Sequence, residues 1–574
     1  MDSLFRGIPA STLSRTGRFW VYGILMAVSF VAYANTLPNE LIFDDKPVIL
    51  HNPLIHDLSS LSTAFVRPYW THGESHIYRP FTLASFALSR AIGGYEPSGY
   101  HALNIFLHGL VAICLYVLGT RLGLSQTGNF LSAAIFAVHP LHSEAVGPIV
   151  GRAELLMSLG TLLSLILYID SWRESARKPI YVLGSLGFFV LALLSKEQAM
   201  ILPFLLILYD LSRPRIPGTS RRRQWQQCVL RYSGYFLILG LLLTVRQAVL
   251  GTALYDAGNR VSFLDNPLAH LDWISRLPGA ISVAGRYLGL FLWPQHLSAD
   301  YSYNAISVPV SFWAPAPLVM ILVIGAFGYL AARSYLSGER RVFFAIGFTS
   351  LTFAPAANIL VPIGTLMGER LFYLPSAGLC LLAAIAFDCL VARVHPAQMR
   401  NRVFVSIILM VALLCSALVR TVYRNRDWRD SESLAMSGLA TFPTSAKLHT
   451  GLAAIHLKRG DFAEALKAYQ TAILIYPDYP RRHWKFAKNM GSVLLKLGNS
   501  DEAIRYLKRA IQLNPNYVAA HYNLGYAYLS TRAWTQAAAH FSKVLELDPT
   551  RANARKGLAI AEAEKRKEAR GAKE

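Results

Sequence analysis

Between residues 19 and 420 the chain returns repeatedly to long, uncharged apolar runs, a pattern that leaves few folds open. In hydrocarbon every backbone N–H and C=O must be satisfied within the protein, which restricts spanning segments to helices and closed barrels. A crossing helix needs about 20 mostly apolar residues, because about 1.5 Å of rise per residue must cover roughly 30 Å. Eleven runs approach that length: 19–36, 100–120, 128–146, 153–169, 179–195, 198–211, 228–250, 309–332, 342–360, 371–392 and 403–420. The segment 276–296 carries Arg276, Pro278, Arg286 and Pro294, and reads as an interfacial or re-entrant helix on the outer face. The expected fold class is therefore all-α, a multi-pass transmembrane helical bundle of about 11 spans. Charged residues make up only 16 % of the chain, where soluble domains carry about a quarter.

The basic residues set the orientation. Arg121, then Arg173, Arg177 and Lys178, then Arg213, Arg215 and Arg221–Arg223 fall in alternate loops, followed by Arg333, Arg340 and Arg341, and by Arg393, Arg400 and Arg402. Lys and Arg in short loops mark the cytoplasmic side. An N-terminus inside and an odd number of crossings place the C-terminal tail outside. The net charge of +22 thus reads as a membrane feature, and no nucleic-acid partner is expected. The five cysteines, Cys114, Cys228, Cys380, Cys389 and Cys415, lie in or beside apolar runs without a CxxC pair. They read as small hydrophobes rather than disulfides or metal ligands. Arg6, Arg15 and Arg18 precede an uncharged run without a small-residue cleavage site, so 19–36 reads as a retained first span.

From residue 443 onward Lys, Glu, Ala and Tyr replace the apolar runs, and the tail repeats with a period of about 34 residues. Pro477, Pro515 and Pro549 close three units. Ala465, Ala503 and Ala537 share one repeat position, Tyr469, Leu507 and Phe541 a second, and Ala472, Ala510 and Val544 a third. Gly491 and Gly525 take the small position of the first helix, where Ala453 sits in the first unit. This is the tetratricopeptide pattern, with repeats at 446–479, 484–517 and 518–551 and a basic capping helix after Arg551. The domains expected are a membrane domain over 1–425 and a solenoid over 443–574.

Candidate chemistry gathers on the outer face. The longest loop, 37–99, opens with Phe43-Asp44-Asp45. Adjacent carboxylates at a membrane surface are costly unless they face water, a cation or a substrate, and one could take a proton from an acceptor hydroxyl. A lone Asp-Asp is more often a helix cap. Arg79, Arg152, Lys196, Arg246 and Arg370 fall at outer ends of spans and could hold a phosphate, which the guanidinium fork matches. Lys196-Glu197 and Glu369-Arg370 read equally well as ion pairs closing helix ends. His139, His142 and Glu144 imitate metal-ligand spacing, but Pro140 interrupts the helix and favours a hydrogen-bonded turn, so no metal site is assigned. Carboxylates beside cations are what moving a group from a phosphate carrier to a hydroxyl requires.

These residues resemble a family. Phe43-Asp44-Asp45 with Asn52-Pro53, Tyr78-Arg79-Pro80, and Gly99-Tyr100-His101 with Asn104 and His108 carry the likeness, as do 138–146, Gly151-Arg152-Ala153-Glu154 and 194–198. Residues 265–268, 298–302, 369–376 and Arg424-Asn425 with Trp428 complete it. The chain resembles the transmembrane and tetratricopeptide-repeat-containing O-mannosyltransferases. The resemblance implies a GT-C glycosyltransferase bundle with its active site on the outer face. It implies a polyprenyl-phosphate sugar donor, typically mannose, and Ser or Thr of a protein acceptor recruited by the repeats. It makes Asp44 the catalytic carboxylate and Asp45 its neighbour, with Arg370, Arg152, Lys196 and Arg79 on the donor phosphate. No metal or other cofactor is required, since those cations neutralise the leaving group. Only three repeats, no Asn-x-Ser/Thr sequon and Arg-rich loops favour a bacterial cytoplasmic membrane with periplasmic repeats over an endoplasmic-reticulum membrane with lumenal ones. The reading from another class is a catalytically silent membrane-anchored scaffold. A transporter comes third, because neither midplane charges nor internal pseudo-symmetry stand out.

Overall fold

The apolar periodicity becomes helix throughout the computed structural model, which describes residues 14–70, 77–172, 177–213, 221–253, 261–392 and 396–571. Arg6, Arg173, Arg215 and Arg393, invoked above, lie outside the described residues, among which no strand occurs. The chain divides into two units: Met1–Ala299 with Val308–Leu434, and Asp300–Ser307 with Ala435–Glu574.

The first unit holds α1 (Arg15–Tyr33), α2 (Leu61–Ala64), α3 (Pro80–Gly93), α4 (Pro97–Arg121), α5 (Gln126–Val138), α6 (Ser143–Val146), α7 (Arg152–Asp170) and α8 (Lys178–Ser195). It continues through α9 (Leu202–Ser212), α10 (Arg221–Leu250), α11 (Trp273–Leu292), α12 (Pro315–Leu336), α13 (Arg340–Phe353), α14 (Tyr373–Ala392) and α15 (Pro396–Asn425). Among the described residues, eight of these helices are long and apolar enough to cross a bilayer: α1, α4, α7, α8, α10, α12, α14 and α15. The protein is a membrane protein. Of the eleven apolar runs, 128–146, 198–211 and 342–360 resolve into shorter helices, the 13-residue α5, the 11-residue α9 and the 14-residue α13. Proline is the reason. Pro140 follows the end of α5, Pro203 opens α9 after a tighter turn at Glu197–Ile201, and Pro355 lies in the turn that ends α13. Each removes an amide donor, and before Pro140 the backbone of His139 also turns extended, at φ -72 and ψ 126. The irregular backbone after α5 is buried within the protein, the only place such backbone is tolerated at membrane depth.

The core of this unit lies along α4, α5, α7 and α14, whose inward residues include Leu115, Phe136, Leu162 and Cys380. At Gly378 the helices α13 and α14 meet so closely that a Cβ would sit 2.6 Å from the Ala345 carbonyl oxygen. The segment 276–296 forms α11, which buries Ala280, Val283 and Tyr287 and exposes Trp273, Ile274 and Leu292. Such a two-faced helix suits an interface better than a crossing. The basic loops collect at one end. There Arg121 pairs with Asp170 at 2.7 Å, Arg213 with Asp210 at 3.0 Å, and Arg341 donates to the Gly123 carbonyl at 3.2 Å. At the other end the long first loop folds on a core of its own, with Val48, Ile49, Ile55, Phe86 and Tyr100 packed on Ile149.

The second unit stacks α16 (Ser431–Thr441, whose last residues belong here), α17 (Ala446–Arg459), α18 (Phe462–Ile475), α19 (Tyr479–Arg482), α20 (Trp484–Lys496) and α21 (Ser500–Leu513). It ends with α22 (Val518–Ser530), α23 (Trp534–Leu547) and α24 (Ala552–Gly571). The repeat positions behave as small-and-large packing requires: Ala465, Ala503 and Ala537, and Tyr469, Leu507 and Phe541, are all fully buried. A Cβ on Gly525 would meet the Phe541 ring at 2.9 Å. The segment Asp300–Ser307, which precedes α12 in sequence, is fastened to the first repeat. The Ser445 hydroxyl donates to Asp300 at 2.7 Å, Thr444 donates to the Asn304 carbonyl at 2.8 Å, and Tyr301 packs edge-on against Phe442.

Candidate active site

The chain leaves α1 through a tight turn and reaches Phe43 with φ 41, a left-handed conformation that bulky side chains rarely adopt and that clusters at functional sites. The two carboxylates that follow face different surroundings: Asp45 is fully buried and Asp44 is exposed. Asp45 accepts the Val150 amide on Oδ1 at 2.9 Å and the Ile42 amide on Oδ2 at 3.3 Å. Burial pushes its pKa up to about 7, against the pull of those amides, and the neighbouring Asp44 charge adds to the rise. Asp45 is thus a clasp between the first loop and the turn before α7, and Asp44 is left facing water. The clasp requires Gly151, where a Cβ would sit 2.1 Å from the Ala145 carbonyl oxygen.

Three ion pairs stand at the same end. The Arg370 backbone amide donates to Glu144 at 3.0 Å and its guanidinium at 2.5 Å. Its side chain stays 42 % exposed over a buried Glu144, and it lies in the fields of Asp44 and Glu154. Arg79 grips Glu197 with both prongs of its fork, at 3.0 and 2.6 Å. Burial alone would lift the Glu197 carboxyl, but Arg79 and Lys196 outweigh it and hold the group near pKa about 2. Lys196 pairs with Glu154, both buried. Burial draws the Lys196 ammonium below its usual value, and Glu154 offsets this only in part. Arg246 donates to the Ala253 carbonyl at 3.1 Å and lies in the fields of Glu197 and Arg79. Residues far apart in sequence therefore share one electrostatic cluster, with Asp44 and Arg370 at its exposed side.

Other expected site residues are placed differently. Arg152 is fully buried and spends its donors on Asn104 Oδ1 at 2.9 Å, the Ser85 and Tyr100 carbonyls at 3.1 and 3.0 Å, and Ser89 Oγ at 2.7 Å. It ties α3, α4 and α7 together instead of facing a ligand. Glu369 turns inward from Arg370, accepting the Ser298 amide at 2.7 Å and lying 3.6 Å from Arg424. His139 shares hydrogen bonds with the Phe291 carbonyl and the Leu141 amide, and His142 with the Phe136 carbonyl and the Ser376 hydroxyl. Both are structural, and among the described residues no group of three or more His, Cys, Asp or Glu side chains could hold a metal.

Two tyrosines escaped the sequence reading. Tyr69 lies under the Arg79 guanidinium, 5.8 Å from its ring, in the fields of both aspartates. Tyr287 donates to the Gly368 carbonyl at 3.0 Å and accepts the Gly368 amide at 2.9 Å, fixing the turn that presents Arg370. The Tyr287 signal was available in the apolar face of α11; Tyr69 sits in a loop with no period to reveal it.

The bundle, its charged end and the repeat stack define a multi-pass membrane protein with one charged candidate site and a tetratricopeptide solenoid. Residues 444–515 and 488–552 match tetratricopeptide-repeat family models. The chain is 31 % identical over 474 residues to protein O-mannosyl-transferase F38B6.6 of Caenorhabditis elegans, covering 79 % of this chain and 63 % of the worm protein. It is 28 % identical to protein O-mannosyl-transferase TMTC4 of Mus musculus (79 % and 66 %) and 29 % identical to Tmtc3 of Drosophila melanogaster (78 % and 54 %). Over most of its length the chain is thus similar to these protein O-mannosyl-transferases, and it spans between about half and two thirds of their length. Among solved structures, the Arabidopsis OM64 tetratricopeptide domain is 19 % identical, covers 20 % of this chain and 93 % of that chain, and has a TM-score of 0.19.

Proposed function

We propose that this protein is a membrane glycosyltransferase of the GT-C type. In this reading it moves a sugar, mannose by analogy with its relatives, from a polyprenyl-phosphate donor to Ser or Thr of a protein on the non-cytoplasmic face. The observation that carries the reading is Asp44, an exposed carboxylate on a left-handed turn in the field of a half-exposed Arg370. As general base Asp44 takes the proton of the acceptor hydroxyl while that oxygen bonds to the anomeric carbon. The bond from this carbon to the phosphate oxygen breaks, and its electron pair leaves on the polyprenyl phosphate. Arg370 and Arg79 meet that phosphate with planar forks, and Lys196 adds positive charge behind them. Their partners Glu144, Glu197 and Glu154 hold the cations in place beforehand, the preorganisation that electrostatic catalysis depends on. The reading needs no metal ion, because these groups supply the charge. The chain leaves the first unit at Leu434, which packs with Ile42 of the first loop. In this reading the repeats recruit the acceptor polypeptide.

Purified protein in lipid nanodiscs, given radiolabelled polyprenyl-phosphate mannose and acceptor peptide, provides the test. Asp44→Asn should lower transfer about 10²–10⁴-fold at unchanged abundance and membrane insertion. Full activity in that variant would end the base assignment.

A further inference from the structure

The first and second helices of the repeats carry charge in different ways. The first helices, α17, α20 and α22, contain Lys447, Lys458, Arg459, Lys485, Lys488 and Lys496 and no Asp or Glu. The second helices mix the two signs, Glu464, Asp501, Glu502 and Glu546 standing beside Lys467, Arg505, Lys508, Arg509 and Lys543. The packing says where these surfaces lie. Each first helix packs on the first helix of the next repeat, α17 on α20, α20 on α22 and α22 on α24. The first helices thus form a continuous wall, the inner side of a stack of helix pairs.

The residues on that wall can be read from burial. Helix α20 buries Phe486, Ala487, Met490, Gly491, Val493 and Leu494, which leaves Lys485, Lys488 and Ser492 on its opposite face. Helix α22 buries Ala520, His521, Leu524, Gly525, Ala527 and Tyr528, which leaves Tyr522, Asn523 and Tyr526. The two faces are joined, since Asn523 donates to Ser492 Oγ at 2.7 Å. Tyr522 and Tyr526 pack ring against ring at 4.9 Å, and the Arg551 guanidinium lies 5.5 Å from the Tyr522 ring. Lys488 is half-buried, and among the described residues no carboxylate pairs with it; the charge that acts on it is that of Lys485. A partly desolvated ammonium without a counter-ion is costly, and an anionic ligand would relieve it.

We propose that the inner face of the repeats binds an extended acidic polypeptide segment, its carboxylates meeting Lys485 and Lys488 and its chain lying along Tyr522 and Tyr526. A flat anionic bilayer does not reach into a concave wall, and the paired tyrosines offer a peptide amphipathic contact area at low entropic cost. The inference deepens the reading of the repeats as the acceptor-recruiting part and names the chemistry they select.

The test uses the full chain in phosphatidylcholine nanodiscs and the anisotropy of two labelled peptides, one alternating Glu with Ser, the other Gln with Ser. The Glu peptide should bind at least about tenfold more tightly, and K485E/K488E should abolish the difference. Lys567→Glu, on the exposed far part of α24, should leave it intact. Lys488→Gln, with hydrogen exchange of α20 and α21 unchanged, should weaken the Glu peptide and spare the Gln peptide, which separates ligand loss from unfolding. Equal affinity for the two peptides, an equal loss in Lys567→Glu, or competition by phosphatidylserine vesicles as effective as by unlabelled peptide would overturn the proposal. Donor turnover is measured separately in the same nanodiscs. Failed peptide binding with intact turnover therefore refutes this inference and leaves the transferase standing.

Discussion

At the scale of single residues, the acidic pair separates into two roles that adjacency in sequence conceals. Asp45 has its pKa raised from the ordinary 3.8 to about 7 by burial, so its protonated form is the one the fold favours. The stability it lends is fully present below about pH 4 and is lost as pH rises through about 7. The slope is at most about 1.4 kcal/mol per pH unit for one proton. Thermal melting in nanodiscs from pH 5.5 to 8.5 should show that decline in the wild type. Asp45→Asn, neutral throughout, should flatten it while lowering the whole curve, because its Nδ2 cannot accept an amide proton. The buried pair of Lys196 and Glu154 makes a second prediction. Glu154→Gln leaves an uncompensated ammonium and should cost about 3–5 kcal/mol, whereas Glu154→Gln with Lys196→Met should recover much of it; melting temperatures decide. The Asp pair, the cations and even the bland reading of the histidines were legible in the sequence. Which aspartate faces water was not, because it depends on the twist at Phe43 and on the Val150 amide, 105 residues away. Arg152 shows the limit in the other direction. An arginine beside a glycine at the end of a span reads as a ligand for phosphate, and only Asn104, Ser85, Ser89 and Tyr100 reveal it as a tie.

Among elements, the repeats were the most legible part and the short helices the least. A period of about 34 residues repeats the same packing problem three times, so Ala465, Ala503 and Ala537 could be aligned without coordinates and all prove buried. The runs 128–146, 198–211 and 342–360 are apolar enough to read as spans. Hydropathy alone does not register that a proline inside a run divides a short helix from irregular backbone covered by its neighbours. Close helix contacts give a test at this scale. Gly525→Val drives branched methyls into the Phe541 ring and should destabilise the stack by about 1–3 kcal/mol. Hydrogen exchange should then show faster opening of α22 and α23, with protection of α4 and α7 unchanged.

For the whole molecule, the division into two units predicts separable functions. A chain ended after Leu434 should keep donor hydrolysis and lose transfer to protein acceptors, since the charged cluster lies wholly in the first unit. Retained acceptor transfer by that shortened chain would show that the repeats do not recruit. The same truncation removes the partners of Asp300–Ser307, so limited proteolysis should cut there in the shortened chain and spare the full one.

That fastening also orders events at birth. Ser445 follows Asp300 by 145 residues, so the ribosome releases the segment Asp300–Ser307 long before the helix that will hold it exists. It must wait at the membrane surface, with Tyr301 and Tyr303 uncovered, while the last helices of the bundle are inserted. The arrival of Phe442, Thr444 and Ser445 both opens the first repeat and retires this loop, so that a segment made later closes a gap opened midway.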